Sequence, residues 1–222
     1  MKTKLLIALC ALCSVGVAQG RGHKVAISYN NTSYRPSGYE NAKDDNFSLN
    51  GFGVGYSYML GVSRTLPMYV EMGANANFGF GNPIDEKEQG YSFKVKMQDI
   101  NLQVPVNFGY IFDPAEGFGI APYAGINFKY HLLTRSKYEE EEDGVKESGD
   151  WISYFDKKEM GDDGTWNRFQ MGWQVGVNFF YYNLSLGVQY GTDFIPAYSF
   201  KEDGVKEKIN TGNLKVTVGF NF

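Results

Sequence analysis

The chain of 222 residues contains two cysteines, Cys10 and Cys13, and none further on. Whatever remains after N-terminal processing therefore cannot use disulfides, thiolate catalysis or cysteine-ligated zinc. Long apolar runs are also lacking. The single one, Leu5 to Ala18, is too short and too terminal to be a membrane helix. It follows Lys2 and Lys4 and precedes small residues, which is the pattern of a secretory signal. Residues 1–20 are read as that signal, with cleavage after Ala18 or Gly20, and residues 21–222 as one exported domain. Leu9 and Leu12 occupy the positions before the cysteines where a lipid-attachment motif needs Gly or Ala, so no lipid anchor is read. Helical periodicity is almost absent, and no nucleotide loop, nucleic-acid motif, metal-ligand spacing or calcium loop occurs. No cofactor is expected.

What the chain does have is alternation of apolar and polar residues in segments of about ten, the period of half-buried strands. Eight can be drawn: 23–30, 49–62, 68–80, 96–112, 118–132, 166–181, 184–195 and 211–222. Their connections alternate long (31–48, 81–95, 133–165, 196–210) and short (63–67, 113–117, 182–183). An even strand number with this asymmetry matches an up-and-down barrel of the bacterial outer membrane, with short periplasmic turns and long extracellular loops. The expected fold class is all-β, an eight-stranded antiparallel up-and-down transmembrane β-barrel.

The bulkier apolar parity of these segments comprises 48 positions, and none is charged. A lone Lys or Arg on a lipid-facing surface would cost roughly 2 to 4 kcal/mol at the bilayer midplane, so that face suits lipid. The opposite parity carries Lys24, Glu71, Asp99, Lys129, Arg168, Asp193 and Lys215, the strand glycines from Gly51 to Gly219, and amides such as Gln103, Asn107, Gln170 and Gln174. A soluble lipocalin-type barrel would reverse the faces and show water a surface rich in Lys, Glu and Thr. Small residues and amides instead suit a narrow lumen that side chains just fill. Aromatics gather at both segment ends, among them Tyr110, Phe112, Phe179, Phe220 and Phe222 at one and Phe80, Tyr130, Phe169 and Phe194 at the other, as in two interfacial girdles. A mean hydropathy of -0.35 averages over these two unlike surfaces.

The terminal strand Leu214-Lys-Val-Thr-Val-Gly-Phe-Asn-Phe222 resembles the one by which barrel-assembly machinery recognises outer-membrane proteins. Ile100-Asn-Leu-Gln-Val-Pro-Val-Asn-Phe-Gly-Tyr110 with Gly119-Ile-Ala-Pro-Tyr-Ala-Gly125 resembles the strand-turn-strand core of the PorT-like barrels of Bacteroidetes, within the OmpA-like superfamily. The chain departs from that pattern at Asn107 and Gly109, where the family often has an apolar and a basic residue. The resemblance implies a fold and a bacterial outer-membrane location, and no substrate. Pro105, inside the motif, lacks a ladder donor and is read as marking a bulge or bend.

Two groups of residues are candidates for function. Glu71, Asp99, Lys129, Arg168, Asp193 and Lys215 are expected to form a polar lumen network, with Asp99 pairing Lys129 and Asp193 pairing Arg168 or Lys215; a gated ion path is the alternative. The loop 135–165 holds 11 acids and 5 bases, a net charge of -6. Its Glu139, Glu140, Glu141, Glu142 and Asp143 lead into Glu142-Asp-Gly-Val-Lys-Glu147, repeated identically as Glu202-Asp203-Gly-Val-Lys-Glu207. Asp-Gly is a hairpin signal, so both loops should extend barrel strands into ribbons, lying near each other. Such acids are read as binding outer-membrane lipids including lipopolysaccharide through bridging cations, or an unidentified surface or envelope protein, with a solvated hairpin tip as the plainer reading. His131, beside Asp99 and Lys129, lacks a hydroxyl nucleophile, so lipid-modifying catalysis ranks below a scaffold and below transport, and no catalytic residue or metal site is assigned.

Overall fold

The computed structural model describes residues 22–38, 45–63, 65–156, 165–202 and 205–222. The signal read over 1–20 and the loop residues Lys157, Lys158, Glu159, Asp162, Asp163 and Asp203 lie outside the described residues.

Eight long antiparallel strands form the wall: β1 (Gly22–Ser37), β2 (Phe47–Gly61), β3 (Met68–Glu88), β4 (Tyr91–Tyr110), β5 (Phe118–Glu142), β6 (Phe169–Tyr181), β7 (Leu184–Asp193) and β8 (Val205–Asn221). Each pairs with its neighbour in sequence. β1 also pairs with β8, from Lys24↔Asn221 to Ser37↔Lys208, so the sheet closes on itself. At the seam His23 and Phe222 exchange backbone hydrogen bonds of 3.0 and 2.9 Å. The expected all-β, eight-stranded, up-and-down architecture is the one observed.

None of the 48 positions of the bulky parity is buried, which makes that face the outer surface. Inside lie Gln103, Asn107, Asn127, Gln170, Gln174 and Asn178, all buried. Glycine is needed here because tilted, tightly coiled strands bring backbones close. A Cβ on Gly51 would sit 2.0 Å from the Phe78 carbonyl oxygen, and one on Gly125 2.3 Å from that of Val106. Gly212 is an exception to the glycine pattern. It lies on the outer parity, where a Cβ would meet the Ser33 hydroxyl at 2.9 Å.

The interior is layered. At the short-turn end Met59, Tyr69, Ile111, Ala121, Tyr123 and Phe180 make an apolar plug. At the long-loop end Tyr34, Leu49, Met97 and Ala197 make a second, roofed by Phe47, Tyr154, Trp166 and Ile209. Tyr154, within the third loop, and Trp166, just after it, meet at the mouth with their rings 4.4 Å apart. Polar groups occupy the space between the plugs.

Three features differ from the expectations. The second connection, read as a long loop, is largely strand, β3 and β4 running past the apolar band to a turn at Gln89 and Gly90, whereas β5 continues to Glu142 as the expected ribbon. Outside lipid both faces of a strand meet water, so no apolar parity marks it in the sequence. Pro105 makes no bulge. Pairing with β3 skips Gly73 and Ala74 and resumes at Asn75↔Gln103 in the same register. The bulges fall instead at Gly81/Ile84 and Ile100/Asn101, at the upper edge of the band, where the wall turns into the extensions.

Val104 sits mid-strand on the outer face. Val104→Lys is expected to lower stability by roughly 2 to 4 kcal/mol in urea unfolding from lipid vesicles. A loss under about 0.5 kcal/mol would show that this face does not meet lipid.

Candidate functional sites in the lumen and the outer ribbon

Between its plugs the lumen is an ionic and amide network. Lys129 pairs with Asp193 at 2.7 Å, both side chains at most 5% exposed. Asp193 also accepts from the Thr211 hydroxyl. Lys24 pairs with Glu71, whose carboxylate accepts from Ser57 at 2.6 Å. Asp99 accepts from Thr134 at 2.7 Å and Asn101 at 2.6 Å, and lies 2.6 Å from His131 Nδ1. Lys215 donates to Gln103 at 2.5 Å. Gln103 and Asn101 both accept from Asn77, so an amide chain joins the Lys215 ammonium to the Asp99 carboxylate.

The expected partners are thus rearranged. Asp99 meets His131 rather than Lys129, and Lys129 takes Asp193, because β5 and β7 flank β6 and the two side chains meet beside its Gly172, which leaves them room. Arg168 leaves the network: it is exposed at the rim, donates to the His131 and Leu132 carbonyls at 3.4 and 3.2 Å, and lies over the Phe155 ring at 4.1 Å. β6 begins only at Phe169, so Arg168 precedes the strand that would have aimed it inward. Sequence reasoning missed Ser57, Thr134 and Thr211. The lumen parity of Ser57 and Thr211 was readable, whereas Thr134 has the outer parity of its strand and is turned inward by the bulge opposite Ile100/Asn101; only the register shows that all three meet the carboxylates.

His131 and Asp99 resemble part of a catalytic relay, but among the described residues the second imidazole nitrogen meets an amide. The Gln170 amide, oriented with its nitrogen toward His131, donates to Nε2 at 2.9 Å and to Asp193 at 3.2 Å. That leaves the imidazole with one donated and one accepted hydrogen bond. Two voids between the plugs measure about 20 and 50 Å3, room for isolated waters.

The second site is the extension of the wall. Val145–Ser148 pairs back on β5, and Asp143 and Gly144, with φ of 47° and 83°, form the expected tip. In the fourth loop Tyr198–Glu202 pairs with β8 up to Glu202↔Val205. Among the described residues the two ribbons do not pair with each other. The third loop's ribbon lies on that of the second, so β3, β4, β5 and Val145–Ser148 make a four-stranded sheet, whereas the fourth loop's ribbon pairs with Thr165–Trp166.

The pleat sorts this sheet's charge. On the face continuous with the lumen lie Glu86, Glu88, Glu140, Glu142 and Glu147, placed by the pairs Glu86↔Phe93, Glu88↔Tyr91↔Glu142 and Phe93↔Glu140↔Glu147. The sheet puts no lysine there. The face continuous with the outer wall carries Lys87, Lys94, Lys96, Lys137 and Lys146 with Asp85, Glu139 and Glu141. Glu139 binds both Lys96, at 2.6 Å, and Lys137, at 2.7 Å, and these two ammonium groups hold its pKa down at about 2. Among the described residues no three His, Cys, Asp or Glu side chains converge in a metal-binding arrangement.

A closed sheet with an uncharged outer face, a filled interior and aromatic girdles defines an integral membrane β-barrel. The chain belongs to the family described as the outer membrane protein beta-barrel domain, whose model matches residues 18–196. It is accordingly a bacterial outer-membrane protein, and its short turns face the periplasm. Similar solved structures include Ail, the attachment invasion locus protein of Yersinia pestis (16% identity, covering 90% of this chain and 99% of that chain, TM-score 0.37). OprG from Pseudomonas aeruginosa is similar at 12% identity, over 92% of this chain and 98% of that chain, with a TM-score of 0.45. The outer membrane enzyme PagL is similar at 13%, over 86% and 97%, with a TM-score of 0.44. No functionally curated protein matches the chain.

Asp193→Ala strands the Lys129 ammonium and is expected to cost about 3 to 5 kcal/mol in urea unfolding, against less than about 1 kcal/mol for Arg168→Ala. Equal losses would refute the pairing. Glu139, whose pKa lies below its ordinary value, stabilises the ribbon fully above the ordinary carboxylate range. That contribution is lost as pH falls from about 4.5 through about 2. Carboxyl NMR should place its titration near the lower value; titration near 4.5 would mean the two lysines do not hold it.

Proposed function

We propose that this protein is a non-catalytic, non-conducting scaffold of the outer membrane that presents the glutamate-bearing face of its extracellular ribbon to a cationic partner. The observation that carries this reading is the sorting of charge by the pleat. Five glutamates share a face with Tyr91, Phe93, Val95 and Tyr138. Glu140 stands directly opposite Glu147, a like-charge pair that weakens an isolated ribbon and that a basic ligand would relieve. Such a face suits a basic segment of a surface or envelope protein better than a single ion, which needs converging ligands.

The lumen supports the rest of the reading. Apolar plugs at both ends and ion pairs between them support a filled lumen, and His131 has its second nitrogen met by an amide rather than by a nucleophile. We also assign the chain to the PorT-like branch of Bacteroidetes barrels. The residues that carry this likeness, Ile100 to Tyr110 and Gly119 to Gly125, lie on adjacent strands β4 and β5.

Two measurements test the proposal. In planar bilayers the purified protein should give no discrete channel openings, and stable conductance would return the lumen to a transport role. Extracted in mild detergent from native membranes, it should run in a complex that Glu140→Gln, Glu142→Gln and Glu147→Gln together dissolve. Migration as a single chain in both forms would refute the scaffold reading.

A further inference from the structure

The opposite face of the same ribbon carries its own geometry. Phe80, Gln98 and Arg135 are paired across β3, β4 and β5, which puts the Arg135 guanidinium at the height of the outer aromatic girdle. The preceding pair on these strands is Ile100↔Leu133, and Ile100 is the last position of the uncharged face on β4. The next, Lys96↔Lys137, stands two residues higher, about 7 Å along the strand. Three cations therefore leave the wall at the level where lipid acyl chains give way to head groups.

Their side chains are held in place. Arg135 donates to Gln98 Oε1 from Nε at 3.1 Å and from Nη2 at 2.9 Å, and its guanidinium lies 4.4 Å from the centre of the Trp151 ring. Lys137 lies 5.6 Å from the same ring. Lys96 and Lys137 share one carboxylate, Glu139, and no carboxylate contact is recorded for Arg135 among the described residues. The cluster is thus net positive by two charges. An indole with cations against its face suits an interface, since the ring takes the apolar side and the charges the polar one.

We propose that Lys96, Arg135 and Lys137, with Trp151 beside them, form a seat for the phosphate groups of the phosphorylated glycolipid in the outer leaflet. The charge complementarity is direct: a fixed guanidinium supplies donors in the geometry phosphate accepts, and the two lysines add point charges above it. This changes how the protein meets lipopolysaccharide. The acids of the third loop need not bridge it through divalent cations, because the leaflet-side surface of the ribbon offers cations of its own. The inference depends on the barrel lying in the outer membrane and is independent of any partner on the glutamate face.

The test uses the full protein in detergent micelles, titrated with purified diphosphorylated lipid A and, separately, with lipid A stripped of phosphate; bound lipid is read by native mass spectrometry. Each cation near an anionic surface contributes about fivefold to affinity. The phosphorylated form should therefore bind at least about tenfold more tightly, and a variant carrying Lys96→Gln, Arg135→Gln and Lys137→Gln should lose that preference. Lys87→Gln, on the same face near the ribbon tip, should bind like the wild type. Heat-dependent gel mobility shows whether the triple variant is folded. Should it not fold, the comparison of the two lipids on wild type, repeated at rising salt, decides the matter alone. Equal binding of the two lipids, an unchanged preference in the folded triple variant, or loss of binding on chelating divalent ions would each overturn the proposal. Success or failure here leaves the conductance and complex measurements untouched, so the two readings fail separately.

Discussion

A bilayer offers no hydrogen-bond partner to a peptide group, and that one deficit organises the molecule. Every strand inside lipid must be paired on both sides, so the sheet has to close, and β1 meets β8 along nearly its whole length. Closure with eight strands leaves a cylinder so narrow that backbones crowd each other and side chains must fill what remains. Glycine where a Cβ would strike a carbonyl, amides that bond to one another and charges that find partners all descend from this confinement.

Confinement also explains the pairing of charges in the interior. A buried ammonium or carboxylate in a medium of low dielectric is tolerable only with a partner, and here Lys129 with Asp193 and Lys24 with Glu71 supply one for each other. Lys215 and Asp99 are linked through Gln103, Asn77 and Asn101 instead. Apolar clusters lie above and below this network. Beyond the band the same strands continue without the constraint of lipid.

On those surfaces the pleat does a second kind of sorting. A run of four glutamates, Glu139 to Glu142, is split by the two-residue period of a strand: Glu139 and Glu141 face the lysines of the leaflet side, and Glu140 and Glu142 face away from them. Read as a linear segment it is an acidic stretch. Folded, it contributes to one face that is net positive and one that is negative throughout.

The sequence by itself determined the strand positions inside lipid, their number and their inward and outward parity, because lipid on one side and a crowded lumen on the other stamp opposite chemistry on alternate residues. It also determined the Asp143-Gly144 tip, since few residue pairs tolerate that backbone conformation. Beyond the band the ribbons of the third and fourth loops were legible from their Asp-Gly tips, whereas the extensions of β3 and β4 carried no apolar alternation to mark them. The partners of Asp99, Lys129 and Asp193, the exit of Arg168 to the rim and the clustering of Arg135 with Lys96, Lys137 and Trp151 were decided only by tertiary structure. Parity names a face, but which side chains meet across it depends on register, on the tilt of the strands and on where each strand begins, and these are properties of the closed sheet rather than of any one segment.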